Sequence, residues 1–380
     1  MAPYQAKTLL YTAGSGAPSG ARDGYRHVLC CVDDTDDLEG ESSTGNVAEA
    51  IAEAFIGLGA GIVLGITRHQ LLLSGEVAYT SHNSAMCFMA LVPPAAVGPC
   101  KARAVEILEA MSVESADPGL CLAVLPSGWD AQAQGRKAGD RGTVPLSPLG
   151  REIGMLTSFG KKAKSEVCTK EEAYGVAEAV PWVDLSEHGG TGQGVIGALA
   201  GVGLRLDGND GRLRGKWDLK GLYREGFEGA CVPVAAFAGY LGRQVIGRVQ
   251  VLDVAGAPVG GDVPLLLEGE AKPVMKDGAL TLVVEVRDGY ARPCRKVDLG
   301  AIGNAEGWKR YCDRFEFDPD VEERGGDDAK CCANCLYRRW TERGFDCVVG
   351  SAGGGGGGRG GGGGSGRGGA GKGQHGAAPH

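Results

Sequence analysis

The stretch His27-Val28-Leu29-Cys30-Cys31-Val32-Asp33-Asp34-Thr35-Asp36-Asp37 changes character at one peptide bond. Residues 27–32 have the short apolar composition of a buried strand, and the next five positions hold four carboxylates. A strand read this way delivers the acidic run to its C-terminal end, where open α/β sheets gather ligand groups. Beyond the run, Val47, Ile51 and Phe55 recur at helical spacing, so the unit reads strand, acidic loop, helix.

Further out, Gly61 to Thr67 and Met86 to Val92 have strand character and Lys101 to Met111 has an amphipathic helical pattern. Together they form a first α/β domain over residues 25–115, behind a Gly-, Ala- and Ser-rich leader over 1–24. Residues 116–220 offer the strand Cys121 to Leu125, a helix from Lys170 to Ala179, the strand Trp182 to Leu185 and a helix opening after a glycine-rich turn. That order suits a ferredoxin-like α+β domain. From 240 to 300 helical periodicity gives way to Val, Leu, Gly and turn signals such as Asp277-Gly278, which reads as a small β module. A cysteine-containing region follows over 301–349, and a Gly/Arg tail over 350–380 is too poor in apolar side chains to bury a core. The fold class expected is therefore α/β and α+β, multidomain.

Clustered carboxylates repel one another, so a tight acidic turn is costly unless a cation or hydrogen-bond donors neutralise it. Magnesium carrying a nucleotide's phosphates does this well, because it prefers a few carboxylate oxygens completed by phosphate and water. Asp33, Asp34 and Asp36 are the candidate ligands and catalytic residues, with Thr35 between them. Thr44-Gly45 at the start of the following helix supplies backbone donors for phosphate. The other reading is a solvated acidic turn that caps that helix through Asp or Ser.

Two polar runs belong to the same unit. Arg68 in Thr67-Arg68-His69-Gln70 presents a planar fork suited to phosphate, and Ser81, His82 and Asn83 in Tyr79-Thr80-Ser81-His82-Asn83-Ser84 could bind ribose or orient a substrate. An ordinary hydrogen-bonded loop is the alternative.

His188-Gly189-Gly190-Thr191-Gly192-Gln193-Gly194 leads into Val195-Ile196-Gly197-Ala198-Leu199-Ala200. The backbone at Gly192 and Gly194 could approach an anion closely, but the spacing is neither a P-loop nor a dinucleotide fingerprint, and tight helix packing explains small residues equally well. Asp207-Gly208-Asn209-Asp210-Gly211 has the chemistry of a structural turn.

The formal charge of −8 excludes a surface that coats itself indiscriminately with nucleic acid, so any RNA contact must be local. Arg212, Arg214, Lys216, Lys220, Arg338, Arg339 and the arginines of the tail offer that local charge. The 13 cysteines are irregularly spaced and several lie in apolar runs, which suits reduced thiols in a cytoplasmic protein. Apolar runs are broken before the roughly 18 residues of a membrane span. Cys332-Ala333-Asn334-Cys335 is one metal-binding knuckle without a second. A zinc site would recruit Cys312 and Cys347, or Cys294, at irregular spacing; a metal-free end is the other reading.

Three segments in this order resemble the agmatinylcytidine synthetase family, which attaches agmatine to the wobble cytidine of an isoleucine tRNA. They are Asp33-Asp34-Thr35-Asp36, the Tyr79 to Ser84 loop where the family carries a Thr-Arg-Gly-Asn-type run, and Gly194-Val-Ile-Gly-Ala-Leu-Ala-Gly-Val-Gly203. The last is close to the family's Gly-Leu-Ile-Gly-Ala-Leu-Ala pattern. The resemblance spans about residues 25 to 215. It implies a kinase-like ATP domain, a ferredoxin-like domain, an OB-like β module and a zinc ribbon. It also implies magnesium and ATP held by Asp33, Asp34 and Asp36, with phosphoryl transfer activating a cytidine C2 oxygen for displacement by agmatine or another small amine.

Overall fold

A computed structural model of the chain describes residues 24–36, 43–72, 77, 83–127, 129, 148–215, 217–222, 230–268, 270–294, 338–341 and 344–347. Alternate residues of β1 (Arg26–Asp33) serve two different cores: Val28, Cys30 and Val32 belong to one, Leu29 and Cys31 to the other. Successive side chains of a strand point to opposite faces. Asp33 therefore continues the face of Leu29 and Cys31.

The strands that follow are β2 (Gly61–Gln70), β3 (Ser84–Val92), β4 (Gly119–Val124) and β5 (Val183–Glu187). β1 lies between β3 and β4, with Cys31 opposite Cys87 on one side and Cys121 on the other. β2 flanks β3 and β5 flanks β4, and every one of these pairings is antiparallel. The acidic run thus leaves a central strand as expected, but not the carboxyl edge of a parallel sheet. What places it is the pair of helices described below.

On the Val28 face pack α1 (Thr44–Gly57), through Val47, Ile51 and Phe55, and α2 (Val97–Met111), through Cys100, Ala104 and Leu108. Phe55 meets Phe88 of β3 edge to face at 5.4 Å. Burying such a side chain is worth about 1.5–3 kcal/mol. The opposite face is covered by α3 (Pro148–Ser165), α4 (Lys170–Glu178) and α5 (Gly194–Asp207), through Leu156, Phe159, Ala173, Ala198, Leu199 and Val202.

α5 approaches its neighbours closely because its contact positions lack side chains. A Cβ on Gly201 would lie 2.3 Å from Cys31 Sγ, and one on Gly203 would lie 2.0 Å from the Leu156 carbonyl of α3. Tight packing therefore accounts for most small residues of this helix.

The sheet continues through β6 (Arg212–Leu213) beside β2, while β7 (Trp217–Asp218) and α6 (Leu219–Leu222) lead away from it. Next come β8 (Cys231–Pro233), α7 (Val234–Gln244), β9 (Val249–Asp253), β10 (Pro264–Leu266), β11 (Glu270–Ala271), β12 (Val274–Lys276), β13 (Ala279–Arg287) and β14 (Tyr290–Pro293). β12 pairs with β6, so among the described residues one 12-stranded sheet of mixed direction runs from β5 to β8. A separate hairpin joins β15 (Arg338–Thr341) to β16 (Gly344–Cys347). No helix among the described residues is long and apolar enough to cross a membrane.

β2 carries a bulge. Val63 pairs with Met89 and Ile66 with Phe88, so Leu64 and Gly65 are extra, with φ of 57° and 76°. Arg205 of α5, 1% exposed, bonds the region: Nη2 donates to the Val63 and Gly65 carbonyls at 2.8 and 3.4 Å, and Nη1 to Thr67 Oγ1 at 3.0 Å. Close by, Asp210 accepts from Lys164 Nζ at 2.5 Å and lies 2.9 Å from His69 Nδ1. The turn expected at 207–211 is present, with Gly208 as the left-handed C-cap of α5.

Three helices escape the sequence reading, the four-residue α6 among them. α3 has a near-zero mean hydropathy and several glycines, and α7 begins directly after Pro233 in a stretch rich in valine and glycine.

Candidate functional site

Parity along β1 aims Asp33 at α5, and the helix is built to receive it. A Cβ on Gly197, in the first turn of α5, would lie 1.6 Å from Asp33 Oδ2. Gly194 opens the helix, and a Cβ there would meet the carbonyls of Asp117 and Asp33 at 2.1 and 3.0 Å. The carboxylate of Asp33 thus sits at a helix N-terminus, where the dipole favours negative charge.

The next residues turn away. Asp34 takes a left-handed conformation, φ 53°, which a non-glycine residue adopts at some cost. Thr35 is buried with its Oγ1 lacking a hydrogen-bond partner among the described residues, while its carbonyl accepts from Val113 N at 3.2 Å. Asp36 Oδ2 accepts from Thr44 N at 3.4 Å, at the start of α1. Ser43 is the N-cap of that helix and accepts from Asn46 N at 3.3 Å. The capping role weighed for the acidic run is therefore shared by Ser43 and Asp36, and two helix N-termini converge on one acidic turn.

Between them lies a cavity of about 300 Å³. Its polar side is Asp33, Asp34, Asp36, Thr44, Asn83, Ser84, Gln193 and Gly194. Leu71, Leu72, Val77, Val167, Cys168 and Ile196 form an apolar wall, and Glu166 stands at the end of α3. The described lining contains four carboxylates and no Lys, Arg or His.

Burial and this imbalance together act on the carboxyls. Burial, then the charges of Asp34 and Asp36, push Asp33 well above the usual carboxylate range, against a backbone hydrogen bond from Asp34 that favours its ionised form. Burial, then Asp117 and Asp36, raise Asp34 to about 6. The three aspartates give the cavity an oxygen-rich lining of the type a hard divalent cation prefers, while the unpartnered Thr35 hydroxyl is buried outside that lining. Among the described residues no group of three or more His, Cys, Asp or Glu side chains is already arranged around a metal position. Magnesium is usually held by only one or two carboxylates together with substrate oxygens, so the donor set fits a cation that arrives with its ligand.

The structure brings Asp33, Asp34, Asp36, Thr44, Asn83 and Gly194 to this cavity, of all the residues singled out in the sequence. Asn83 is also a brace: its Nδ2 donates to the Leu72 carbonyl at 2.7 Å. Gly45 lies outside the lining, and a Cβ there would meet Arg214 Nη1 at 1.9 Å. Arg214 itself is bound to Glu49 and Asn46 of α1, at 2.9 and 2.7 Å. Arg68 donates to Ser84 Oγ at 2.9 Å and to Gln70 Oε1 at 3.2 Å, and so supports the wall from behind. Gly192 turns at φ 77° against Glu187, away from the cavity. Ser81, His82, Cys312, Cys332 and Cys335 lie outside the described residues, as does the side chain of Cys347.

Residues that sequence reasoning passed over also contribute. Asp117, at the approach to β4, accepts from both the backbone N and the hydroxyl of Thr191. Glu166, Gln193, Ile196 and Gly197 join the lining. The spacing of Gly194, Gly197 and Gly201, which marks one helix face, was the available signal for Gly197.

No family model matches the chain, and no curated protein matches it. Among solved structures, apo TiaS, a tRNA-isoleucine agmatidine synthetase, has a TM-score of 0.35 and 22% identity over 47% of this chain and 35% of its own. A TiaS complex with its tRNA and ATP has a TM-score of 0.36 and 22% identity over 47% of this chain and 36% of its own. A TiaS complex with tRNA, AMPCPP and agmatine has a TM-score of 0.35 and 19% identity over 56% of this chain and 43% of its own. The chain spans well under half the length of these structures.

Proposed function

We propose that the cavity binds magnesium–ATP and that the chain is an ATP-dependent, ligase-type enzyme that activates a cytidine C2 oxygen of a tRNA for attack by agmatine or another small amine. One observation carries the nucleotide part: three carboxylates of one turn and the N-termini of α1 and α5 face a single cavity that holds no basic side chain among its described residues. An anionic ligand can enter such a site only with its own cations, and helix N-termini then receive its phosphates. The tRNA and amine parts rest on the sequence resemblance of Asp33 to Asp36, Tyr79 to Ser84 and Gly194 to Gly203 to the agmatinylcytidine synthetase family.

In this reading Asp33, Asp34 and Asp36 hold magnesium, and Thr35, buried between Asp34 and Asp36, supports the turn that presents them. Bound magnesium would supply charge neutralisation at the transferring phosphoryl group. Thr44 and Gly194 bring the positive ends of the α1 and α5 dipoles to the phosphates, and the wall of Leu71, Leu72, Val167 and Ile196 excludes water from the adenine end. Asn83 orients the ribose or substrate side. Ser81 and His82 are assigned to the same loop by sequence. Arg68, Gly45 and Gly192 act from behind the wall or on the approach.

The same reading assigns the chain a kinase-like domain over 25–115, a ferredoxin-like domain over 116–220 and an OB-like module over 240–300. It places zinc on Cys312, Cys332, Cys335 and Cys347, and the protein in the cytoplasm.

The test is ATP consumption by the purified protein with magnesium, with and without bulk tRNA and agmatine, resolving AMP, ADP and phosphate. Consumption that requires both co-substrates supports the synthetase. Consumption without them points to an ATP enzyme for another substrate. No consumption, with ATP still bound, leaves a nucleotide- or RNA-binding protein without turnover.

A further inference from the structure

One short segment between α2 and β4 bonds both the acidic turn and the glycine-rich turn that opens α5. Val113 N donates to the Thr35 carbonyl at 3.2 Å, and Gly119 pairs directly with Asp33 across the sheet. Between these contacts stands Asp117. Its Oδ2 accepts from Thr191 Oγ1 at 2.5 Å, its Oδ1 accepts from Thr191 N, and its carbonyl accepts from Gly194 N at 3.1 Å.

The glycine-rich turn is shaped around this side chain. Gly190 takes φ 55°, and a Cβ there would lie 1.7 Å from Asp117 Oδ1. On the other side of Thr191, Gly192 also takes positive φ, with Glu187 filling the space where its Cβ would stand. Two left-handed glycines flanking a threonine make a turn with many alternative conformations. The Asp117 carboxylate holds Thr191 by its amide and hydroxyl, and Lys170 Nζ donates to the Thr191 carbonyl at 2.7 Å.

We propose that Asp117 is the positioning residue of the cavity: by clamping Thr191 it fixes the turn that aims the N-terminus of α5 at Asp33 and at the bound ligand. Its side chain is absent from the cavity lining; its positioning effect passes through Thr191 and Gly194, in addition to the charge it places near Asp34. The ligand half of this statement rests on the magnesium–ATP reading; the clamp itself does not.

The two halves are tested separately on the full-length protein. Hydrogen–deuterium exchange of the amides at 190–196, without ligand, reads the clamp. Asp117→Ala should accelerate exchange there about tenfold, the size expected when hydrogen bonds to an ionised acceptor are lost. Asp117→Asn keeps an acceptor for Thr191 N and a donor for Thr191 Oγ1, and should restore exchange to within about twofold of the wild type. Thr191→Val removes only the hydroxyl bond and should fall between them, and it serves if Asp117→Ala does not fold.

KM for magnesium–ATP reads the ligand half. It should rise about tenfold in Asp117→Ala, with kcat within about threefold, and recover in Asp117→Asn. Unchanged exchange in Asp117→Ala and Thr191→Val overturns the clamp. Failure of Asn to rescue overturns hydrogen bonding as its basis. Faster exchange with an unchanged KM overturns the link to the ligand. If the wild type neither binds nor turns over ATP, the nucleotide reading falls, and the exchange result still decides the clamp.

Discussion

Gly197 stands directly against Asp33: a Cβ on the glycine would lie 1.6 Å from Asp33 Oδ2 and 3.0 Å from Leu71 Cδ1. Gly197→Ala must therefore displace either the carboxyl or the helix. Overpacking of this kind typically costs about 1–3 kcal/mol. We expect urea denaturation to register that loss and magnesium–ATP turnover to fall at least tenfold. The control is Gly154→Ala on α3, where a Cβ meets nothing within 4 Å and helix propensity predicts a gain of about 0.5–1 kcal/mol. Equal effects at the two positions would contradict the close approach.

Asp210 makes the acid limb of stability predictable. Burial alone would raise its pKa, but Lys164 and the His69 hydrogen bond override burial and hold it at about 2. A carboxyl depressed in the folded state stabilises above its unfolded value near 3.8, and that contribution is lost as pH falls through about 2. Asp210→Asn should remove this dependence between pH 4 and 2. At neutral pH it should cost about 3–5 kcal/mol, because Lys164 is left buried without its partner. A variant within about 0.5 kcal/mol of wild type would show the pair to be dispensable.

Asp34 has the opposite sign. Its carboxyl is raised to about 6 in the ligand-free protein, so folding favours the protonated form relative to the unfolded chain and the charge is a cost at neutral pH. The corresponding stability is complete below the unfolded value near 3.8 and is lost as pH rises through about 6. In EDTA at pH 7, Asp34→Asn should melt at a higher temperature than the wild type. With magnesium–ATP the order should reverse, because only the wild type gains from ligand binding. A lower melting temperature for the variant in EDTA would mean that the turn needs the charge itself.

Arg205 is a test of the bulge in β2. Arg205→Met retains the length of the side chain but removes the donors to the Val63 and Gly65 carbonyls, while Thr67 Oγ1 keeps its contacts with His69 Nε2 and the Cys87 carbonyl. Unsatisfied buried groups cost about 1–3 kcal/mol each, so a loss of about 3 kcal/mol in chemical denaturation is expected. Arg205→Lys should recover only part, since an ammonium lacks the planar fork that reaches two strand positions at once.

Most elements around the site were legible because their signals are local. The apolar run of β1, the spacing of Val47, Ile51 and Phe55, and the helix after the glycine turn all depend on neighbours within a few residues. α3 was not legible: only Leu156, Phe159 and Ala163 of its stripe are deeply buried, and its glycines matter only where Gly160 meets α5. Arg214 was read as a surface contact for RNA, yet it is bound to Glu49, 165 positions earlier. Such a pairing leaves no periodic trace.

The sequence by itself determined that a buried strand empties into four carboxylates and that a glycine-rich turn opens a helix, since composition and short-range spacing suffice for both. Only the tertiary structure decided that these two features meet. Strand parity points Asp33 to the α5 face, the antiparallel neighbour β4 brings Asp117 and Gly119 beside it, and the missing side chain of Gly197 admits the carboxylate. Each of these depends on pairing between residues distant in the chain, where hydrogen-bond register and packing space, not local preference, set the geometry.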